Sequence, residues 1–328
     1  MTVISSCTLI TLKEAAKSLK QGNLVAFPTE TVYGLGADAI NKDAVARIYG
    51  AKGRPTTHPL IVHISSINNL DKWAREIPEY AITLARAFWP GPMTLILPRT
   101  GLAKNFITGA QENVGIRVPS HPLAQSLLQE FEALGGFGVA APSANRFGKV
   151  SPTTAEAVQE ELSPYLSPDD LILDGGYCQI GIESTIIDCT HELPQILRPG
   201  GITQEQIESI IELNSNPENN NRINKIKVPG LLDSHYCPKA KVLLSGRPQP
   251  GDGFIALANV QSPLGSIRLA SPKDNEEFAR QLYGALRLAD HKNIEKIFVL
   301  AAEGNGIAIA INERLEKASM PSKDIIKK

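Results

Sequence analysis

A short apolar run at residues 24–27 opens into F-P-T-E-T-V-Y-G-L-G-A at 27–37, and one helical stretch later come the cations Lys52 and Arg54. Hydroxyls and glycines at the mouth of a strand make the chain leave a sheet there, which predicts an α/β fold with a site at strand ends. Paired cations facing such a mouth suit an anionic substrate. With only Gly53 between them and Pro55 behind, Lys52 and Arg54 read as an extended turn in which residues two apart point the same way. Arg offers a fork and Lys a point charge to one polyanion.

The rest of the chain fits this architecture. Thr11 and Glu14 read as a capping box for a helix over 11–22, and Thr153 with Glu156 as another further on. Further helices are expected at about 43–49, 77–88, 121–134 and 203–213. Apolar runs at 59–64, 93–97, 114–118, 138–141, 171–174 and 184–189 read as strands, many flanked by Pro or Gly. Irregular alternation favours a twisted mixed sheet with flanking helices. Residues 214–224 hold six asparagines and a proline with almost no apolar content, the signature of a linker. Beyond 241 an α/β pattern restarts, with strands at 242–244, 254–257 and 297–300 and helices at 274–288 and 307–317. The expected division is therefore a larger domain over 1–213, a linker over 214–240 and a small α/β domain over 241–328, as a chain of 328 residues would suggest.

Composition narrows the function. A formal net charge of -1 gives no global basic field for non-specific nucleic-acid binding, so any RNA contact needs a local patch. The four cysteines form no C-x-x-C pair and have no metal-ligand spacing with the six histidines. No basic segment precedes an apolar core at the N-terminus and no apolar run reaches membrane-spanning length, so a cytoplasmic protein is expected. Gly34, Gly36 and Ala39 fit G-x-G-x-x-A, but P-T-E-T-V-Y intervenes after the strand and no acidic residue stands about 20 positions on, which argues against a dinucleotide site. Gly148-Lys149 runs into Val150, so it is not a Walker A loop. His63 lies on an apolar strand, where a core histidine is the plain alternative, and Glu30 reads as a general base or as a cation's partner.

Polar and charged strand ends recur: Arg117 in I-R-V-P, Ser143 and Asn145 in P-S-A-N with Ser151 beyond, Glu183-Ser184-Thr185, and Arg198 in L-R-P-G. Their recurrence points to one shared cleft for phosphate and carboxylate groups. No Ser-His-Asp order or H-x-x-x-H spacing singles out a nucleophile or a metal cage, so positioning and electrostatics are the expected means of catalysis.

These segments, with K-G-R-P-x-x-x-P-L-I-V-H, W-P-G-P-M-T and E-S-T-I-I-D in the same order, resemble the threonylcarbamoyl-AMP synthases, whose catalytic part is a YrdC-like domain. The resemblance covers about residues 5–210. H-Y-C-P at 235–238 and the segments 279–290 and 308–318 resemble the longer type, which adds a small C-terminal Rossmann-like α/β domain. The resemblance implies formation of L-threonylcarbamoyl-adenylate and pyrophosphate from L-threonine, bicarbonate and ATP. Mg²⁺ would arrive on ATP rather than in a protein cage, and a partner transferase would carry the group to tRNA. It also implies site residues. Lys52 and Arg54 are the catalytic pair and meet the ATP phosphates, with His58, Asn113, Ser143, Asn145, Ser151, Arg198 and Tyr236 around the nucleotide. Thr31, His63, Arg117, Ala141 and Ser184 surround threonine, with Arg117 on its carboxylate. Tyr236 would act as a lid. Before H-Y-C-P the longer type carries a basic run, whereas this chain reads P-G-L-L-D-S at 229–234, a less anion-attracting lid. The alternative is an RNA-binding YrdC-like module without synthase activity, in which the same basic cleft holds a phosphate backbone. Carbamoyl transfer in hydrogenase maturation would call for C-x-x-C motifs, which are absent here.

Overall fold

The structure, a computed structural model, describes residues 4–6, 9–214, 226–230 and 235–320. Most of the asparagine-rich segment, and residues 231–234 of the lid, lie outside the described residues.

Strand β2 (Val25–Phe27) is wholly buried, as its apolar run requires, and pairs antiparallel with β3 (Gly34–Asp38). The turn between them is therefore shorter than expected, because the G-L-G-A stretch is itself a strand. Gly36 sits there for packing. A Cβ on it would lie 2.8 Å from both the Phe27 ring and the Val139 side chain, and 3.0 Å from the Val25 carbonyl.

The other strands of the large sheet are β1 (Ile4–Ser6), β4 (Ile61–His63), β5 (Met93–Pro98), β6 (Asn113–Arg117), β7 (Val139–Ala140), β8 (Leu171–Asp174), β9 (Thr185–Asp188) and β10 (Gln195–Arg198). They assemble as β1-β8-β2-β3-β7-β4-β6-β5-β9-β10, with parallel and antiparallel neighbours intermixed. This order brings the chain's polar strand ends together. His63 and Arg117 are register partners at the ends of parallel β4 and β6, and the 142–145 turn follows β7, next to β4.

A second sheet, β11-β14-β12-β13, is parallel throughout: β11 (Lys241–Leu243), β12 (Gly253–Ile255), β13 (Ile267–Ala270) and β14 (Lys296–Val299). The helix Asn275–His291 buries Phe278, Ala279, Leu282, Tyr283, Leu286 and Ala289, a helical stripe, and Asp274 caps it by accepting from the Glu277 N–H. Its core is continuous with the larger unit, since Val32, Val150, Ile182 and Tyr236 pack in one cluster with Ile255, Phe278, Tyr283 and Ile311. Each such buried side chain contributes about 1.5–3 kcal/mol, which fastens the small sheet to the large one.

Several local expectations are corrected. The first helix runs Leu9–Lys20, so Thr11 lies inside it rather than at its cap. The helix Ala155–Leu162 is capped by Thr154, whose hydroxyl accepts from Ala157 N–H, and not by Thr153. The helix expected over 203–213 spans only Gln204–Glu208, although Thr203 and Gln206 form a true capping box. Lys52 is not in an extended turn. It ends the helix Lys42–Lys52, which Asn41 caps at its start and Gly53 closes with a left-handed φ of 62°. Glycine reaches that conformation without a Cβ penalty, so it is a common helix stop. Among the described residues no helix is long and apolar enough to cross a membrane.

Candidate active site

Between the strand ends lies a cavity whose lining includes Lys52, Arg54, Arg117 and Arg198 but, among the described residues, one carboxylate, Glu183. This surplus of positive charge in a largely buried space suits a polyanion. The free volume is about 50 Å³, and a strap with Pro229, Gly230, His235 and Tyr236 contributes to the lining.

Lys52 reaches the cavity from the last turn of its helix. Its Nζ donates to the Ser143 carbonyl at 2.5 Å and also to the Asn145 carbonyl. Burial, and then the charge of Arg54, pull its pKa well below the ordinary lysine value. Arg54 donates Nη2 to the Pro59 carbonyl at 2.9 Å and lies 5.7 Å from the centroid of the Phe147 ring. Burial lowers its pKa to about 10, so it stays cationic at neutral pH. Among the described residues its buried Nε has no partner, and neither does the buried Oδ1 of Asn145, whose amide nitrogen holds the Arg146 and Lys149 carbonyls. An orphaned donor and an orphaned acceptor beside one cavity are what a bound polar ligand would satisfy.

The opposite end is built by β4 and β6. His63 is buried edge-on to Phe27, with its Nδ1 unpartnered among the described residues. Burial, helped by Arg117, drives its pKa to about 3, so the imidazole is neutral. Arg117 donates Nη2 to Glu30 Oε1 at 2.6 Å, and Glu30 Oε2 accepts from the Ser120 N–H at 2.9 Å. Burial pushes the Glu30 carboxyl up, but the Arg117 charge and hydrogen bond outweigh it and hold the group ionised. Glu30 is thus the cation's partner rather than a free base. The Thr29 and Thr31 hydroxyls, 2.7 Å apart, complete this end.

At the start of β9, Ser184 shares a 2.8 Å hydrogen bond with the Thr94 hydroxyl, and its carbonyl accepts from Arg198 at 2.7 Å. Arg198 also holds the strap by donating to the Pro229 carbonyl at 3.0 Å. Tyr236 has φ 63° and stacks on Tyr283 of the helix Asn275–His291 with ring centroids 5.5 Å apart. That backbone conformation is rare for a tyrosine and persists only where the surroundings impose it.

Thr31, Lys52, Arg54, His63, Arg117, Ala141, Ser143, Asn145, Ser184, Arg198 and Tyr236 all line this one cavity. Three expected residues stand apart from the lining. His58 packs edge-on to Phe147, with centroids 5.3 Å apart. Ser151 is fully buried behind the wall and donates to Glu183 Oε1 at 2.6 Å. Asn113 starts β6 and borders a separate cleft with Gln111 and Val228. Thr29, Phe147 and His235 line the cavity without having been expected there, and Glu183 was expected only as part of the polar strand end Glu183-Ser184-Thr185. Glu183 and His235 lie in the quoted E-S-T and H-Y-C-P segments, while Phe147 carries no local signal. No group of three or more His, Cys, Asp or Glu side chains among the described residues could hold a metal ion. Both Glu183 oxygens are engaged within the protein.

The Sua5/YciO/YrdC family, described as telomere recombination, matches residues 17–200, and the C-terminal domain of threonylcarbamoyl-AMP synthase matches residues 202–320. The chain is 40% identical to the threonylcarbamoyl-AMP synthase of Pyrococcus abyssi over 94% of each chain. It belongs to the threonylcarbamoyl-AMP synthase family. The synthase of Bacillus subtilis is also 40% identical, with 94% of this chain and 92% of that one covered. The crystal structure of P. abyssi Sua5 complexed with L-threonine superposes with a TM-score of 0.85 at 38% identity, covering 97% of both chains. E. coli YciO, at 24% identity and a TM-score of 0.52, shares the fold over 61% of this chain. The YrdC-like mixed sheet and the additional C-terminal unit expected from the sequence are both present.

Proposed function

We propose that this protein is an L-threonylcarbamoyladenylate synthase, a nucleotidyltransferase that joins L-threonine, bicarbonate and ATP and releases pyrophosphate. The observation that carries this reading is the convergence of Lys52, Arg54, Arg117 and Arg198 on one buried cavity, in a chain that matches synthases along nearly its whole length. Bicarbonate takes up a proton and loses water to give carbon dioxide, which the threonine amine captures as a carbamate as the nitrogen gives up a proton. A carbamate oxygen then attacks the α-phosphorus, and the bond to the bridging oxygen of pyrophosphate breaks. No protein nucleophile is needed, so the chain's task is to hold two anions in line and exclude water from a labile mixed anhydride.

Arg117, fixed by Glu30, is positioned for the threonine carboxylate, with Thr31, Ala141, Ser184 and neutral His63 around the rest of the amino acid. Lys52 and Arg54 take the phosphates, and Ser143, Asn145 and Arg198 the remainder of the nucleotide. Mg²⁺ would be held by the ATP phosphate oxygens and would add charge neutralisation there. The product suits a transferase that delivers the threonylcarbamoyl group to tRNA. The test is pyrophosphate release from Mg-ATP, with threonine and bicarbonate each omitted in turn. Release that requires both is expected. Release that ignores either, or none from folded protein, would sink the assignment.

A further inference from the structure

Arg314 has no exposed surface, although it lies on the helix Ile307–Ser319 of the C-terminal unit. A buried guanidinium is costly unless its partners are well placed. Its Nε donates to Glu183 Oε2 at 3.0 Å, and its guanidinium carbon lies 5.5 Å from the centroid of the Tyr236 ring. It also pairs with its neighbour Glu313. Glu183 is part of the cavity wall and Tyr236 part of the strap, so one side chain from outside the cavity touches both. Tyr283, from the helix Asn275–His291, donates its hydroxyl to the same Glu183 oxygen at 2.9 Å and stacks on the same Tyr236 ring. Ser151 occupies the other Glu183 oxygen. The next residue along the wall, Ser184, is held through its carbonyl by Arg198, the residue that also grips the strap at Pro229.

We propose that Arg314 is a positioning residue for the synthase reaction: it fixes the Glu183 carboxylate and the Tyr236 ring together, so that the C-terminal unit locks the cavity wall to the strap closing over the nucleotide. This rests on the synthase reading of the cavity. An ion pair serving only to join two units has no need for partners on both sides of a binding cavity. A buried pair is also a poor source of net stability, because desolvation offsets much of its attraction.

The groups facing Glu183 are Arg314 and Tyr283 from the C-terminal helices, Arg198 from β10, Ser151, and His235 and Tyr236 from the strap. Burial opposes its charge, but Arg314 and then Arg198 hold its pKa at about 2. Without Arg314, burial is opposed mainly by Arg198, and the carboxyl protonates at a higher pH.

The experiment compares wild type with Arg314→Gln, Arg314→Lys, Tyr283→Phe and Glu183→Gln. Steady-state pyrophosphate release is measured across pH, alongside thermal unfolding and hydrogen exchange of residues 181–186 and 235–240. Arg314→Gln is expected to lower kcat/KM for ATP about ten- to a hundredfold, the scale of a misplaced site. It should also add an acid limb to the pH profile that the Arg314→Gln/Glu183→Gln double variant lacks, while Arg314→Lys recovers part of the loss. Tyr283→Phe keeps the ring stack and removes one hydroxyl, so it is expected to give a smaller loss in the same direction even if Arg314→Gln fails to fold. A folded Arg314→Gln with wild-type kcat/KM and pH profile overturns the proposal, whatever its melting temperature. So does an unchanged Tyr283→Phe where Arg314→Gln does not fold. Wild type that releases no pyrophosphate defeats the synthase reading. The positioning role is then decided by whether exchange in both segments accelerates in the variants, and unchanged exchange overturns it.

Discussion

At the residue scale, two histidines of the cavity lining stay neutral far below the ordinary imidazole range. His63 and His235 are buried, and burial leaves both with pKa values of about 3. In the unfolded chain each would titrate near 6.5. Between these values the unfolded state binds more protons, so the stabilisation is complete above pH 6.5 and falls as pH drops toward 3. At pH 5 the loss amounts to about 2 kcal/mol per histidine, from roughly 1.5 pH units at about 1.4 kcal/mol each. The melting temperature should therefore fall from pH 7 to pH 5, and His63→Gln should flatten that slope; an equally steep slope in the variant would refute the role given to burial. Arg54 differs from Lys52 in what its loss would do. Arg54 makes one backbone contact and leaves its Nε unpartnered among the described residues, so Arg54→Ala should remove ATP-dependent turnover and leave a folded protein. Lys52 donates to the Ser143 and Asn145 carbonyls, which Lys52→Met would orphan. That variant should lose about 1–3 kcal/mol of stability as well as activity. Denaturant unfolding of the two variants side by side distinguishes them.

At the scale of elements, the sequence was readable where a single signal dominated. The helix Asn275–His291 and strands such as β5 follow from apolar periodicity and keep nearly their expected bounds. Strand β3 was hidden because its glycines read as a turn, whereas tertiary packing against Phe27 and Val139 is what requires Gly36 to lack a side chain. Threonines adjacent in sequence, such as Thr153 and Thr154, offer equivalent caps, and only the three-dimensional approach of the chain selects one. The Lys52/Arg54 pair reaches one cavity by a different geometry from the expected one. A helix end and a left-handed glycine, not an extended turn, bring both cations to the cavity. Gly36→Ala should consequently behave as an overpacking change, losing about 1–3 kcal/mol in urea unfolding. Its KM for ATP should stay near wild type, since the residue is not in the cavity lining. A large KM change without loss of stability would instead make the glycine part of the nucleotide site.

Across the whole molecule, the site's inner lining was legible because each piece sits in its own local motif, but its closure was not. Glu183 and Arg314 are 131 positions apart, and nothing local to either announces the pair. Closure also sets a kinetic constraint. The free space amounts to about 50 Å³. Ordinary ligand pockets start at roughly 300 Å³, so on the proposed synthase reading the cavity has to widen before a nucleotide enters. What holds the strap is divided between the two units. Arg198 grips the Pro229 carbonyl from the large sheet, and Lys317 of the helix Ile307–Ser319 donates to the Gly230 carbonyl. Lys317 is absent from the cavity lining, so removing it loosens the strap without removing a ligand contact. Lys317→Met should therefore speed both ATP association and dissociation severalfold in stopped-flow binding while changing Kd less than either rate, because it lowers the barrier to opening more than it alters the bound state. A variant that binds at the wild-type rate would mean that the nucleotide enters by a route the strap does not guard.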